Sequence, residues 1–379
     1  MKKLLLTDNL KNILLLFLGW KLLLLLAFFL SFQFPLAGKN FLGGGLQNYL
    51  NQSWLFAWAN FDGEHYLSIA QFGYRNLEQA FFPVYPSLMH FFTNPFGVNI
   101  TSLTISGLLI SNISFVLSLI LLAKLLEIDY KKNIVYLTVI LLLIYPTAFY
   151  FGALYSESIF LLFSLAAFYS ARQKKWQLAT IFGILASATR VFGFLLLPAI
   201  FFEAWQQKEK IKNYFWIIFI PLGLFAYMYY LYLTTGDPIA FYSLQKNVGE
   251  QHQSGVTLLP QVYFRYLKIL FSVDPSNPIY PTMILEFFTG ILFFILPIYG
   301  YFKKVRWSYL FYGLVGFLLP TIQGSFSSVP RYVVVFFPAF LVLAIFLESR
   351  KNIKYLWLAI SVLWLILETS LFLRGYWIA

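Results

Sequence analysis

The 379-residue sequence predicts an all-α, polytopic integral membrane protein with about 11 transmembrane helices, and three observations carry that prediction. Hydrophobic residues make up 60% of the chain and charged residues 11%, against roughly 45–50% and about 25% in ordinary soluble domains. That is too little polar surface to cover a water-soluble globule, so the solvent is mostly lipid. Apolar runs long enough to span a bilayer, which takes about 20 helical residues, recur along the chain. Short clusters of Lys and Arg separate them. The net charge of +12 therefore reads as the cytoplasmic-loop bias that orients membrane proteins rather than as a nucleic-acid footprint. Cysteine is absent, which excludes disulfides, thiolate metal sites and Cys nucleophiles.

The N-terminal lysines 2, 3 and 11 precede an apolar run from Ile13 to Phe34. No small-residue cleavage pattern follows it, and it exceeds a signal-peptide core of roughly 7–15 residues, so it reads as a span. Lys21, beside Trp20, reads as a snorkelling or helix-facing cation. Further spans are expected at Ser102 to Ala123, Asn133 to Tyr150, Ala153 to Ala171, Tyr214 to Leu233, Pro281 to Phe302, Trp307 to Pro320, Tyr332 to Leu347 and Ile353 to Leu373.

Basic clusters sit at Lys124, Lys131 and Lys132; Arg172, Lys174 and Lys175; Lys208, Lys210 and Lys212; Lys303, Lys304 and Arg306; and Arg350, Lys351 and Lys354. Placing all of them on the cytoplasmic side forces residues 176–205 to cross and return. Each arm is only 14 or 15 residues long and reaches about 21 Å against a hydrocarbon core near 30 Å. Arg190 is then expected at a hairpin tip sunk below the outer surface. The two arms bring the count to 11 crossings, with the N-terminus inside and the C-terminus outside.

The chain reads as one domain over residues 1–379, with external segments at 34–101 and 234–280. Trp54 to Ala59 and Val262 to Leu270 look like short helices in the interface plane. Gly43 to Gly45 lack the lysine of a phosphate loop and read as a turn. Asp62, Glu64, Glu78, Glu157, Asp237, Glu250, Asp274 and Glu286 fall toward the external face, with all three histidines and Arg75, Arg190, Arg265 and Arg331. A transporter would place such groups near the midplane on broken helices, so one-sided placement favours chemistry at an external surface.

The densest stretch is FDGEHYLSIAQFGY at 61–74, followed by FFPVYP at 81–86. Asp62 there is either a catalytic carboxylate or the N-cap of a helix, with Glu64 favoured by the helix dipole. Asp62 and Glu64, with His65, are also a weak candidate set for a divalent cation.

These strings resemble the first external loop of the PIG-V family, the second mannosyltransferase of GPI-anchor assembly, and of its bacterial relatives in the GT-C superfamily of polytopic glycosyltransferases. YPTAFYFGALYSESIF at 145–160, ATRVFG at 188–193, GDPIAFYSLQ at 236–245 and VPRYVVVFFPAF at 329–340 extend the resemblance in the family's order over about residues 54–340. The resemblance implies a GT-C-like fold with external interfacial helices. It also implies inverting transfer of a sugar, mannose by the family's habit, from a polyprenyl-phosphate donor to an acceptor hydroxyl on the extracytoplasmic face of the cell membrane. It places the catalytic carboxylate at Asp62, with Phe61 standing where family members often have Trp. The Glu64 match is looser.

A carboxylate at the membrane rim suits a base that takes the acceptor proton. Arg190 and Arg331 offer planar donor forks for the leaving lipid phosphate, with Tyr332 as a further donor. Glu157, beside Tyr155 and Ser156, either binds acceptor or sugar hydroxyls or caps a helix. Glu64, His65, Gln245 and His252 are candidates to line the sugar or acceptor site. The expected partners are the polyprenyl-phosphate sugar, a glycan, glycolipid or protein acceptor, and the bilayer, with no cofactor. The alternatives are a lipid or solute transporter and, among enzymes, a lipid-diphosphate-dependent ligase, whose large late loop is lacking between 321 and 330.

Overall fold

The computed structural model describes residues 2–75, 77–244, 257–322 and 324–378. Among these the structure is helical throughout, with no strand. The longer helices are α1 (Lys2–Ser31), α2 (Asp62–Phe72), α3 (Val84–Thr93), α4 (Ile100–Leu126), α5 (Lys132–Leu143), α6 (Glu157–Arg172), α7 (Trp176–Ser187), α8 (Leu196–Gln206), α9 (Leu222–Thr235), α10 (Leu259–Ser272), α11 (Tyr280–Phe302), α12 (Trp307–Thr321), α13 (Phe337–Glu348) and α14 (Lys351–Leu373). By length and composition, five segments are able to cross a membrane: Leu10–Ser31, Ile100–Leu126, Ile211–Thr235, Tyr280–Phe302 and Lys351–Leu373. Lys132–Leu143, Trp176–Ser187, Val191–Gln206 and Phe337–Glu348 are shorter apolar helices.

Helix bounds depart from expectation in three stretches, each where a proline intervenes. The helix expected over Asn133 to Tyr150 stops at Leu143, because Pro146 has no N–H to donate and crowds the residue before it. A 3-10 turn, Ala148–Phe151, follows, and α6 starts only at Glu157 rather than at Ala153. The span expected from Tyr332 is a short helix, Val329–Val333, then a break before Pro338, then α13. The span expected over Tyr214 to Leu233 lies within the candidate span Ile211–Thr235, whose helix is broken just ahead of Leu222, at Pro221.

Residues 176–206 form two helices rather than one. α7 ends at Ser187, and the chain turns back so closely that a Cβ on Gly193 would overlap the backbone of Ala186 and Ser187. Both ends of this segment return to one place. Gln207 Nε2 donates to the Ala171 carbonyl at 3.1 Å, and Lys174 pairs with Glu209 at 2.8 Å.

The same end gathers other basic loops. Arg172 binds Asp129 through two hydrogen bonds of 2.5 and 2.9 Å. Fully buried Glu203 accepts from Arg306 at 2.7 and 3.0 Å and from Ser308 Oγ at 2.6 Å, with Arg172 Nε 3.4 Å away. Asn12 on α1 reaches Tyr136 at the start of α5. Loops that are far apart in sequence thus share one basic end, and the core between the ends is a continuous cluster of buried aliphatic and aromatic side chains.

Candidate active site

Helix α6 is a ruler across the molecule. Arg172 at its last turn lies at the basic end, and Glu157 at its first residue lies about 22 Å away at the rise of an α-helix. Around Glu157 the fold collects groups from four separate stretches of chain. Glu157 Oε1 accepts from Arg331 Nε at 2.8 Å and meets Arg190 Nη1 at 2.6 Å. Arg331 Nη2 turns outward to Asp62 Oδ2 at 2.5 Å. Arg190 Nη1 also donates to Ser156 Oγ at 3.4 Å, and Ser156 shares a 2.9 Å hydrogen bond with Tyr66. Two carboxylates and two guanidiniums therefore form one chain, Asp62–Arg331–Glu157–Arg190.

The breaks in helical structure make this convergence possible. Arg190 is the extended residue between α7 and the 3-10 turn Val191–Leu195. Arg331 lies in the five-residue helix before the Pro338 break. Glu157 follows the turn forced by Pro146. The guanidinium of Arg331 is flanked by the rings of Tyr150 and Tyr155, 5.0 and 4.6 Å from its carbon, with Tyr332 at 6.0 Å. Such cation–π contacts gain strength when desolvated.

Exposure separates the roles of these groups. The Glu157 side chain is 0% exposed, Arg331 9% and Arg190 10%, whereas Asp62 is 21% exposed. Glu157 Oε2 has no hydrogen-bond partner in the described structure. Glu157 thus counterbalances two buried arginines, and removing such a partner typically costs about 3–5 kcal/mol. Of the two acids, Asp62 is the one partly open to the outside of the protein.

Asp62 is not a helix cap. The N-cap of α2 is Phe61, Asp62 is the first helical residue, and its carboxylate points to Arg331 instead of the helix amides. Glu157 is likewise the first residue of α6 and caps nothing with its side chain. Glu64 turns the other way from Asp62 and accepts the Gly45 N–H at 3.0 Å. Burial pushes its carboxyl up to about 6, opposed by that hydrogen bond. Asp62 and Glu64 therefore do not converge as the metal pair that their spacing suggested. Among the described residues no group of three or more His, Asp or Glu is placed to hold a metal.

His65 stacks on Phe81 with ring centroids 4.8 Å apart, outside the ion-pair chain. Gln245 and His252 lie outside the described residues. Glu286, expected toward the external face, is buried within α11, where it accepts from Tyr266 and from the Ser328 N–H and so holds the loop ahead of Arg331.

Residue-level reading of the sequence missed Tyr150 and Asn60. Tyr150 is an unremarked ring of an aromatic-rich string. Asn60 is fully buried two residues before Asp62, and its side-chain amide donates to a carbonyl more than 300 residues away. Only its position next to the acidic motif was a signal.

The family described as Mannosyltransferase (PIG-V) matches residues 35–255, more than half of the chain. No curated protein matches the sequence. Among solved structures, the Archaeoglobus fulgidus oligosaccharyltransferase in complex with Zn and sulfate superposes with a TM-score of 0.50 at 16% identity, over 96% of this chain and 53% of that one. The same enzyme tethered to an acceptor peptide containing the NVT sequon gives 0.46 at 15% identity, over 95% and 56%. The chain thus spans about half the length of these structures, and the first superposition shows a shared GT-C fold. With the family match covering the loop that carries Asp62, this chain belongs to the PIG-V mannosyltransferase family.

Proposed function

We propose that the protein transfers a sugar, mannose in the first instance, from a polyprenyl-phosphate donor to an acceptor hydroxyl on the extracytoplasmic face, with inversion at the anomeric carbon. The observation that supports this reading most strongly is the chain Asp62–Arg331–Glu157–Arg190 at the end of the molecule opposite the basic loops. The acceptor oxygen attacks the anomeric carbon, the bond from that carbon to the phosphate oxygen breaks, and the electron pair leaves with the lipid phosphate. Asp62 takes the acceptor proton. Arg331, with Arg190 behind it and Tyr332 beside it, meets the charge that develops on the phosphate through charge-assisted hydrogen bonds.

Arg331 also holds the Asp62 carboxylate in place through their ion pair until a donor phosphate recruits the guanidinium. Glu157 keeps Arg331 and Arg190 side by side throughout. No step is routed through a metal, because Asp62 is paired with an arginine and Glu64 with a backbone amide.

The test is transfer from labelled polyprenyl-phosphate mannose into a membrane extract by purified protein, with and without EDTA. Asp62→Asn keeps the shape of the side chain and removes the base, and it is expected to lose about 100- to 10,000-fold in rate while still binding donor. Near wild-type turnover by well-folded Asp62→Asn sinks the role of Asp62. Activity abolished by chelator and restored by magnesium or manganese sinks the metal-free route. Transfer from a nucleotide sugar but not from the polyprenyl donor sinks the donor assignment.

A further inference from the structure

The residue before Asp62 is held in a conformation that side chains rarely adopt. Phe61 has φ 57° and ψ −115°, a region populated chiefly by glycine, and strain of this kind persists only where surrounding contacts over-determine it. The contacts that do so come from the far end of the sequence. The last turn of α14 leaves carbonyls without intrahelical donors, and the external loop supplies them. Asn60 Nδ2 donates to the Phe372 carbonyl at 2.9 Å and more distantly to that of Leu373 at 3.5 Å, and Tyr49 OH donates to Leu373 at 2.6 Å.

Asn60 is fully buried, and its side-chain and main-chain oxygens are paired too. Its Oδ1 accepts from Gly43 N–H and its carbonyl from Tyr155 OH, both at 2.8 Å. Beyond α14 the chain reverses through a Schellman turn. Tyr376 N–H bonds to the Leu371 carbonyl and Gly375 N–H to that of Phe372, with Gly375 at φ 76°, where a side chain would be strained. The reversal lays Trp377 edge-on against Phe61 at 5.3 Å, while Phe372 approaches the same ring at 6.0 Å. Tyr150, which flanks Arg331, is tied to the same segment through the Ile378 carbonyl.

We propose that residues 372–378 are a clamp on Asn60 and Phe61 that aims the Asp62 carboxylate at its substrate, so that Trp377 is a positioning residue for the transfer reaction. The proposal rests on the reading of Asp62 as the base. Trp377 is 54% exposed and therefore contributes little to the core. Its removal loosens Phe61 without opening the interior. Misplacing a reacting group by about 1 Å costs up to about a hundredfold in rate.

Trp377→Ala is expected to lower kcat by on the order of tenfold, with KM for the polyprenyl donor and the thermal midpoint nearly unchanged, and Trp377→Phe is expected to restore most of the loss. A second readout is independent of activity. In this cysteine-free chain, Asp62→Cys gives a single thiol whose modification rate by a methanethiosulfonate reagent reports its setting. That rate is expected to change severalfold when Trp377→Ala is added and to return with Trp377→Phe. An unchanged rate overturns the clamp whatever the activity, and so does a wild-type kcat in Trp377→Ala. A changed rate in a protein that transfers no sugar upholds the clamp and overturns the proposed function instead. Should Trp377→Ala fail to fold, Trp377→Leu, which keeps bulk but loses the ring-edge contact, is read by the same criteria.

Discussion

Arg331 is the residue on which the site turns, because it touches both acids and is enclosed by two tyrosine rings. A guanidinium can serve Asp62 and Glu157 together because its nitrogens point in fixed, separate directions, which a lysine ammonium could not reproduce. Glu64, two residues from Asp62, illustrates how local spacing misleads: side chains two apart on a helix do not face each other. Its raised pKa has a consequence for stability. An acid whose folded pKa lies above its unfolded value near 4.5 holds its proton longer in the folded state, so its ionisation destabilises the fold as pH rises from about 4.5 through about 6. Glu64→Gln is therefore expected to melt at a higher temperature than the wild type at pH 7.5, with the difference disappearing below about pH 4.5. A difference that persists at pH 4 would trace the effect to something other than this ionisation.

At the scale of elements, the site is built where helices stop. Pro146 ends α5 early, Pro338 separates the Arg331 helix from α13, and the reversal after Ser187 frees Arg190. An unbroken helix at any of the three would carry its arginine or glutamate along a helix face instead of into the ion-pair chain. The reversal depends on Gly193, whose missing side chain lets the return arm approach the backbone of Ala186 and Ser187. Gly193→Val is expected to cost about 1–3 kcal/mol, as overpacking typically does, and to reduce transfer by displacing Arg190. Gly19→Ala on α1, where a Cβ meets nothing within 4 Å, is the control and is expected to lie within about 0.5 kcal/mol of wild type. Equal behaviour of the two variants, read by thermal melting and by transfer, would remove the close approach from the account.

The molecule as a whole has two chemically different ends, one of basic loops knitted through Asp129, Glu203 and Glu209, the other of acid–arginine pairs. We propose that the first end faces the cytoplasm, as the positive-inside bias suggests, and the proposal of 11 crossings depends on that assignment. Single cysteines at 174 and 208 are expected to resist an impermeant thiol reagent in intact cells, and a cysteine at 377 to react. Labelling of 174 or 208 from outside would overturn this orientation and with it the proposed extracytoplasmic placement of the site.

Hydropathy and charge spacing were enough for the all-helical membrane class. They also located helices such as Tyr280–Phe302 within a residue, since an apolar run bounded by prolines on one side and lysines on the other has few other places to go. The motif around Asp62 and its resemblance to the PIG-V family were also legible, because those residues are contiguous. Helix ends at Leu143 and Phe337 were not, because apolarity continues through the prolines while helical hydrogen bonding does not. Nor was the pairing of Asp62 with Arg331, or of Asn60 with the end of α14. Those partners are hundreds of residues apart, and no periodicity records which buried donor will satisfy which buried acceptor. That choice belongs to tertiary packing, where desolvated charges and unmatched helix carbonyls must find partners within hydrogen-bond reach.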